Sequence, residues 1–191
     1  FRAKDCSLDP AIMQEIASMG HEIGYHYETL ADTKCDLDKA WELFKAEITK
    51  MRQWAPIKSI SMHGRPLSKH DPREIWEKFD YRSLSITHEA YFDIDWKSFF
   101  YFTDTGRSWA SKSNVRDRVP SMTNTNLQNI DSTDKLIEFV KDSKANLVIS
   151  SHPERWTHNW MGWAQVYLTD SLISMMKNGL ILFRKVRKKK D

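Results

Sequence analysis

Cysteine, glycine and proline are all scarce in this 191-residue chain, at two, six and six residues. Cys6 and Cys35 alone cannot build a disulfide framework or a four-cysteine zinc site. They fit a reducing compartment better, so a cytoplasmic location is expected. No apolar run approaches the roughly 18 residues of a membrane span. There is no glycine-rich phosphate loop and no serine-nucleophile elbow, which argues against a P-loop nucleotide enzyme and a serine hydrolase. Net charge is also small. The 29 basic and 26 acidic residues leave +3, and residues 184–191 carry six basic residues and one acidic. The rest of the chain is therefore slightly acidic, and no nucleic-acid partner is expected of it. The tail reads first as a solvated end, with contact to an anionic membrane or nucleic acid as the lesser alternative. Aromatic residues are plentiful. Eight are tryptophan, which packs cores but also stacks on sugar faces.

The length suits one domain with a sizeable core, expected over residues 1–183 and followed by a basic tail over 184–191. Asp9-Pro10 opens a helix whose apolar face is Ile12, Met13, Ile16 and Ala17, with Gly20 as its stop. A short strand runs from His21 to His26. Leu37, Ala40, Trp41, Phe44, Ile48 and Met51 recur at helical spacing, which predicts a helix from about Asp36 to Trp54. Strands are expected at 57–62, 83–87, 99–103 and 147–151. Asp71-Pro72-Arg73-Glu74 is a capping box. Asp131-Ser132 opens a helix bearing Leu136, Ile137 and Val140, and a last helix is expected from about Trp160 to Asn178, stopped by Gly179. Residues 105–130 are polar and irregular, long for a structureless loop. Strands alternating with helices predict an α/β fold with a mainly parallel sheet. Phe1 reads like the end of a strand, so one or two strands are expected before it.

Three histidines follow strand-like runs: His26, His63 and His152. In open α/β sheets and α/β barrels, chemistry collects at the carboxyl ends of the strands, so the three together suggest a metal-assisted hydrolase. A lone histidine at a strand end is more often structural. For His26, the glycines at 20 and 24 and the polar exit Tyr27-Glu28-Thr29 favour a ligand facing a cleft, and neutral imidazole is the commonest protein metal ligand. His63 lies in Met62-His63-Gly64-Arg65-Pro66. Arg65 is placed to hold a carboxylate or a substrate oxyanion; a rigid turn with a surface arginine is the plain alternative. Pro153 keeps His152 extended, where an imidazole can act as general acid. Asp104 ends the run Phe99–Thr103 and can orient a histidine or clamp Arg65. Trp156 is expected in the core, with a sugar platform as the alternative. Asp93 and Asp95 read as structural, and His21, His70, His88 and His158 have no comparable context.

These pieces, in this order, resemble the polysaccharide deacetylase family, the NodB-type carbohydrate esterases, and within it the divergent WbmS-like members found with bacterial surface-polysaccharide genes. Gly20-His21-Glu22-Ile23-Gly24-Tyr25-His26 resembles the family's second motif, with His26 as the metal ligand. Arg65-Pro66 resembles the third, Asp104 to Trp109 loosely the fourth, and Ser150-Ser151-His152 the fifth. The resemblance implies a distorted (β/α) barrel, here incomplete at its N-terminus, because the aspartate-bearing first motif has no counterpart in these residues. It also implies a divalent metal, usually zinc, with His152 as the catalytic acid.

Two further departures touch the site. The position four residues after His26, a ligand in the family, is Leu30, which cannot bind metal. The second aspartate of the fourth motif is Ser108. A replacement ligand is therefore expected, His63 first and Glu28 second. The implied activity is removal of an N-acyl group, N-acetyl above all, from an amino sugar of a bacterial surface polysaccharide or of its nucleotide- or lipid-linked precursor. The alternative is a non-catalytic homologue that binds glycan and has lost the metal.

Overall fold

The structure, a computed structural model, describes residues 1–64, 70–104, 109, 130–153 and 156–187; for 173–174 and 176–187 it describes the backbone alone. The chain divides into two compact units, Phe1–Ile94 and Asp95–Asp191.

In the first unit, α1 spans Pro10–Ser18, and the Asp9 carboxylate caps it by accepting from the amides of Ala11 at 2.9 Å and Ile12 at 3.2 Å. Gly20 ends the turn at φ +89°, where a side chain would be strained. Strand β1 (Ile23–Tyr27) buries Ile23, Tyr25 and Tyr27 in strict alternation. Two helices follow, α2 (Thr29–Asp32) and α3 (Leu37–Met51), the latter capped by Asp36. Strand β2 (Ile57–Met62) follows, then 3-10 turns at Pro72–Glu77 and Tyr81–Leu84, and the two-residue β3 (His88–Glu89). All three strands are parallel, in the order β1-β2-β3. Gly24 lies where the β1–β2 register shifts, and a Cβ there would stand 2.9 Å from Ser59 Oγ and 3.4 Å from Ser59 O. Phe1 donates its N–H to Gly24 O at 2.8 Å and accepts from His26 N at 2.7 Å. That is the pattern of parallel pairing on the other edge of β1.

The core forms where α3 lays Ala40, Phe44, Ile48 and Met51, all buried, on the sheet. Phe44 meets Trp76, Tyr25 and Tyr27 at ring separations of 4.9, 5.3 and 5.8 Å. Each such buried side chain contributes about 1.5–3 kcal/mol relative to exposure. The capping box at Asp71 and Glu74 is present and opens a 3-10 turn.

In the second unit, β4 (Phe99–Thr103) and β5 (Asn146–Ser150) pair in parallel over their whole length. Between them α4 (Thr133–Asp142) packs Leu136 and Phe139 against Phe100 and Phe102. A 28-residue helix, α5 (Trp160–Arg187), follows.

The structure departs from the sequence reading in several places. The strand expected at 83–87 is a 3-10 turn that leaves Ser85 left-handed at φ 59°, and pairing begins only at His88. The Asp80 carboxylate accepts from the Arg82 amide at 2.8 Å, a local bond that competes with strand pairing. Ile137 and Val140 point outward; Phe139, three residues on from Leu136, completes the inner face of α4. Trp156, expected in the core, is 68% exposed. Helix α5 runs through Gly179 because one interior glycine costs only about 1 kcal/mol and no left-handed turn follows it. The strands described form two small parallel sheets, in keeping with the expected parallel α/β pairing.

Candidate functional site

In the first unit the carboxyl ends of β1 and β2 bring His26 and His63 together. His26 pairs in register with Ser61, and His63 N donates to Tyr27 O at 2.7 Å, which extends the ladder by one residue. The rings lie 5.1 Å apart, nearly perpendicular at 81°. His26 Nδ1 is 3.0 Å from Ser61 O. A carbonyl only accepts, so Nδ1 carries the hydrogen and Nε2 keeps the lone pair. Burial, with His63 adding to it, lowers the pKa of His26 to about 4, so the ring is neutral at neutral pH. His63 Nδ1 lies 3.3 Å from Glu28 Oε2. The His26 contact has hydrogen-bond geometry, the kind of outer contact that aims an imidazole at a metal; Glu28 approaches His63 Nδ1 as a charge contact only.

Glu28, one of the two expected replacement ligands, is buried at the exit from β1 with 3% exposure. Its Oε1 accepts from Arg2 Nε at 2.8 Å and from the other arm of the Arg2 guanidinium, while Oε2 faces His63. Both oxygens are therefore engaged by protein, which suits a group that orients His63 better than a ligand in its own right. Leu30 is a core residue at 2% exposure. Among the described residues, no group of three or more His, Cys, Asp or Glu side chains is placed to hold a metal ion. The two imidazoles, with these contacts, suit half of a zinc site. Arg65 lies outside the described residues.

In the second unit, Asp104 directly follows β4 and His152 is two residues beyond β5. The Asp104 amide donates to Ser150 O at 3.2 Å, one step past the paired strands. One Asp104 oxygen accepts from the His152 amide at 2.7 Å, and the other meets His152 Nδ1. The carboxylate thus holds His152 by backbone and ring together and sets the Nδ1–H tautomer. This leaves the ring's lone pair on Nε2. Of the two roles open to Asp104, orienting a histidine is the one this contact serves.

Two residues escaped the sequence reading. Arg2 gives no local sign that it pairs with a carboxylate 26 positions on. Glu89, fully buried at the end of β3, accepts from the amides of Tyr91 at 2.6 Å and Phe92 at 3.2 Å and from the Tyr27 hydroxyl at 3.2 Å. Burial raises its pKa. A carboxylate that captures amides two and three residues ahead is a recognisable turn pattern, and that signal was present in Glu89-Ala90-Tyr91-Phe92. Asp93, expected to be structural, accepts from the Glu89 amide at 2.6 Å and the Tyr81 hydroxyl at 2.7 Å. A separate cavity of about 880 Å³ opens by the 3-10 turns, lined by Trp76, Phe79, Tyr81 and Phe92 among others. None of the candidate site residues lines it.

No family model matches the chain, and no curated protein or solved structure matches it.

Proposed function

We propose that the chain is a metal-dependent hydrolase of the polysaccharide deacetylase type that removes an N-acyl group, chiefly N-acetyl, from an amino sugar of a bacterial surface polysaccharide or its precursor. The observation that carries this reading is the pair of imidazoles at the ends of β1 and β2, 5.1 Å apart, with Ser61 O hydrogen-bonded to Nδ1 of His26 and a Glu28 oxygen 3.3 Å from Nδ1 of His63. A divalent cation such as zinc, when bound, would polarise the acyl carbonyl and make water a better nucleophile. His26 and His63 would give their Nε2 lone pairs to it, and Glu28 would hold the His63 ring. Asp104 would keep Nδ1 of His152 protonated, so that His152 delivers a proton from Nε2 to the departing amine. Arg65 keeps its expected role of holding a substrate carboxylate or oxyanion. The distorted barrel and the cytoplasmic location belong to the same proposal.

A second reading, a glycan-binding homologue without a metal, is favoured by Leu30 at the family's ligand position and by the engagement of both Glu28 oxygens. Zinc titration of the full chain and of His63→Ala separates the two. The hydrolase reading expects zinc binding that His63→Ala weakens strongly; in a protein that also supplies the aspartate-bearing first motif, without which these residues are expected to be inactive, His152→Ala should leave zinc in place while lowering acetate release from an N-acetylhexosamine oligomer. Glycan binding with no zinc uptake by the wild type would favour the second reading.

A further inference from the structure

Glu89 is a fully buried carboxylate that the proposed reaction leaves without a task, and it stands at the strand ends that carry the imidazole pair. It is the last residue of β3, as Tyr27 is of β1 and Met62 of β2. Tyr27 and Met62 are partners in the β1–β2 register, and Glu89 lies one strand over, in register with Ile60. One carboxylate meets all three ends. Its Oε2 takes the amides of Tyr91 at 2.6 Å and Phe92 at 3.2 Å, which turns the chain away from β3. A turn needs no more than that oxygen. Oε1 instead reaches back across the sheet and accepts from the Tyr27 hydroxyl at 3.2 Å. The Met62 amide donates to the same carboxylate. From the other side, Asp93 accepts from the Glu89 amide at 2.6 Å and from the Tyr81 hydroxyl at 2.7 Å, so the residue itself is held in place.

Beyond these contacts lie the two imidazoles. The Tyr27 carbonyl accepts from the His63 amide at 2.7 Å. The Tyr27 ring is buried, and its hydroxyl also accepts from Trp76 Nε1 at 2.8 Å, so the end of β1 is pinned through its side chain. The Met62 amide belongs to the same peptide unit as the Ser61 carbonyl, which is 3.0 Å from His26 Nδ1. In a trans peptide the N–H and C=O point opposite ways in one plane. A carboxylate on the β3 side and an imidazole on the β1 side therefore share one rigid group, and hydrogen bonds in such a chain strengthen one another. We propose that Glu89 is a positioning residue for the imidazole pair: it ties together the last residues of three parallel strands, and through Tyr27 and the Ser61–Met62 peptide it fixes the step that bears His63 and the Nδ1–H tautomer of His26. This geometric role stands by itself, while its use in holding a metal rests on the hydrolase reading.

The test is ring-nitrogen and amide NMR of the full chain, metal-free at neutral pH, with a zinc titration beside it. Glu89→Gln keeps one oxygen for the turn amides and removes the charge that Tyr27 and Met62 meet. The His26 ring nitrogens should move from the Nδ1–H pattern toward a mixture of tautomers, and the His63 amide signal should shift. The His152 ring, held by Asp104 in the other unit, should stay as it is. The zinc Kd should rise about 10-fold, the lower end of what losing an outer partner of a metal ligand costs. Tyr27→Phe deletes only the hydroxyl and should shift the His63 amide in the same way; it carries the test where Glu89→Gln does not fold. Ile48→Val, a core change on α3, should lower the urea midpoint and leave both histidines unmoved. Unmoved His26 and His63 signals would overturn the proposal, as would equal movement in Ile48→Val, or an unchanged zinc Kd in a protein that binds zinc. No zinc uptake by the wild type would sink the hydrolase reading, and the NMR signals alone would then judge the positioning.

Discussion

Replacing Arg2 with Met removes the partner of a carboxylate that cannot reach water. Glu28 is 3% exposed and takes two bonds from the Arg2 guanidinium through Oε1. With Arg2 gone, His63 stands 3.3 Å from the other Glu28 oxygen. Breaking a buried ion pair by removing one member costs roughly 3–5 kcal/mol, because the other charge is left uncompensated. Arg2 is itself 32% exposed, so its removal admits some water to Glu28 and the expected cost is about 2–3 kcal/mol. With a urea m-value of about 1.5 kcal/mol/M, the unfolding midpoint should fall by about 1–2 M. Glu28→Gln should cost less, because the guanidinium left behind can turn outward and the amide carries no charge to bury.

The double variant Arg2→Met with Glu28→Gln decides the matter. If the damage in Arg2→Met is a stranded charge, neutralising Glu28 should recover most of the loss, with a coupling of at least about 1 kcal/mol. Urea melts of the four proteins at neutral pH, followed by far-ultraviolet circular dichroism, give that coupling. A purely additive double variant would refute the reasoning, as would an Arg2→Met midpoint equal to that of the wild type.

Gly24→Ala should destabilise by about 1–2 kcal/mol through overpacking, since its Cβ would sit 2.9 Å from Ser59 Oγ; adding Ser59→Ala should restore most of this in the same melts, and no restoration would point to the Ser59 carbonyl instead. His26 has a pKa depressed to about 4 by burial, so between about pH 6.5 and 4 the unfolded chain binds the extra proton and stability falls as pH falls. The loss approaches about 3 kcal/mol below pH 4. Glu47 and Glu89, whose pKa values are raised by burial, act in the opposite sense, so the quantity to measure is the difference between chelator-treated wild type and His26→Gln; a difference that does not vary with pH would contradict the assignment. Asp104→Asn should free the His152 tautomer, visible as a shift of its ring nitrogens by NMR, and, in a protein that also supplies the first motif, lower acetate release by about 10²–10⁴-fold; an unchanged ring spectrum would show that Asp104 does not set the tautomer.

The elements that the sequence shows most clearly are those where one local rule acts alone. Asp9-Pro10 starts a helix because the carboxylate and the fixed proline φ agree, and α1 begins there. Ile57–Met62 and Phe99–Thr103 are strands over the residues expected; the first buries Ile57, Ile60 and Met62, and the second is aromatic up to Thr103. The reading fails where two tendencies compete. Ser83–Thr87 has strand composition, yet Asp80 captures the Arg82 amide and winds the chain first. On α4, Ile137 and Phe139 are both apolar, and which of them faces inward is set by Phe100 and Phe102, contributed by a strand thirty residues away. Gly179 has the identity of a helix stop, but a stop also needs a left-handed residue and a capping partner after it, and the chain continues with Leu-Ile-Leu-Phe.

The candidate site divides in the same way, and the division bears on how its residues are ranked. That His26, His63 and His152 close strands can be read from runs of six residues or fewer. What holds each ring cannot, because the holding groups lie 35, 35 and 48 positions away: Ser61 beside His26, Glu28 beside His63, and Asp104 beside His152. Only the pairing of β1 with β2, and of β4 with β5, makes these separations short. Glu28 shows the consequence. Read along the chain, two residues after a histidine, it is a spare ligand; read across the strands, with Arg2 on one oxygen and His63 3.3 Å from the other, we propose that it acts as a brace. A brace acts through the ring it holds, so Glu28→Gln should weaken zinc binding by about 10–100-fold, the typical cost of losing an outer partner, and leave His26 and His63 to bind what remains. Abolition of binding equal to that in His63→Ala would return Glu28 to the ligands.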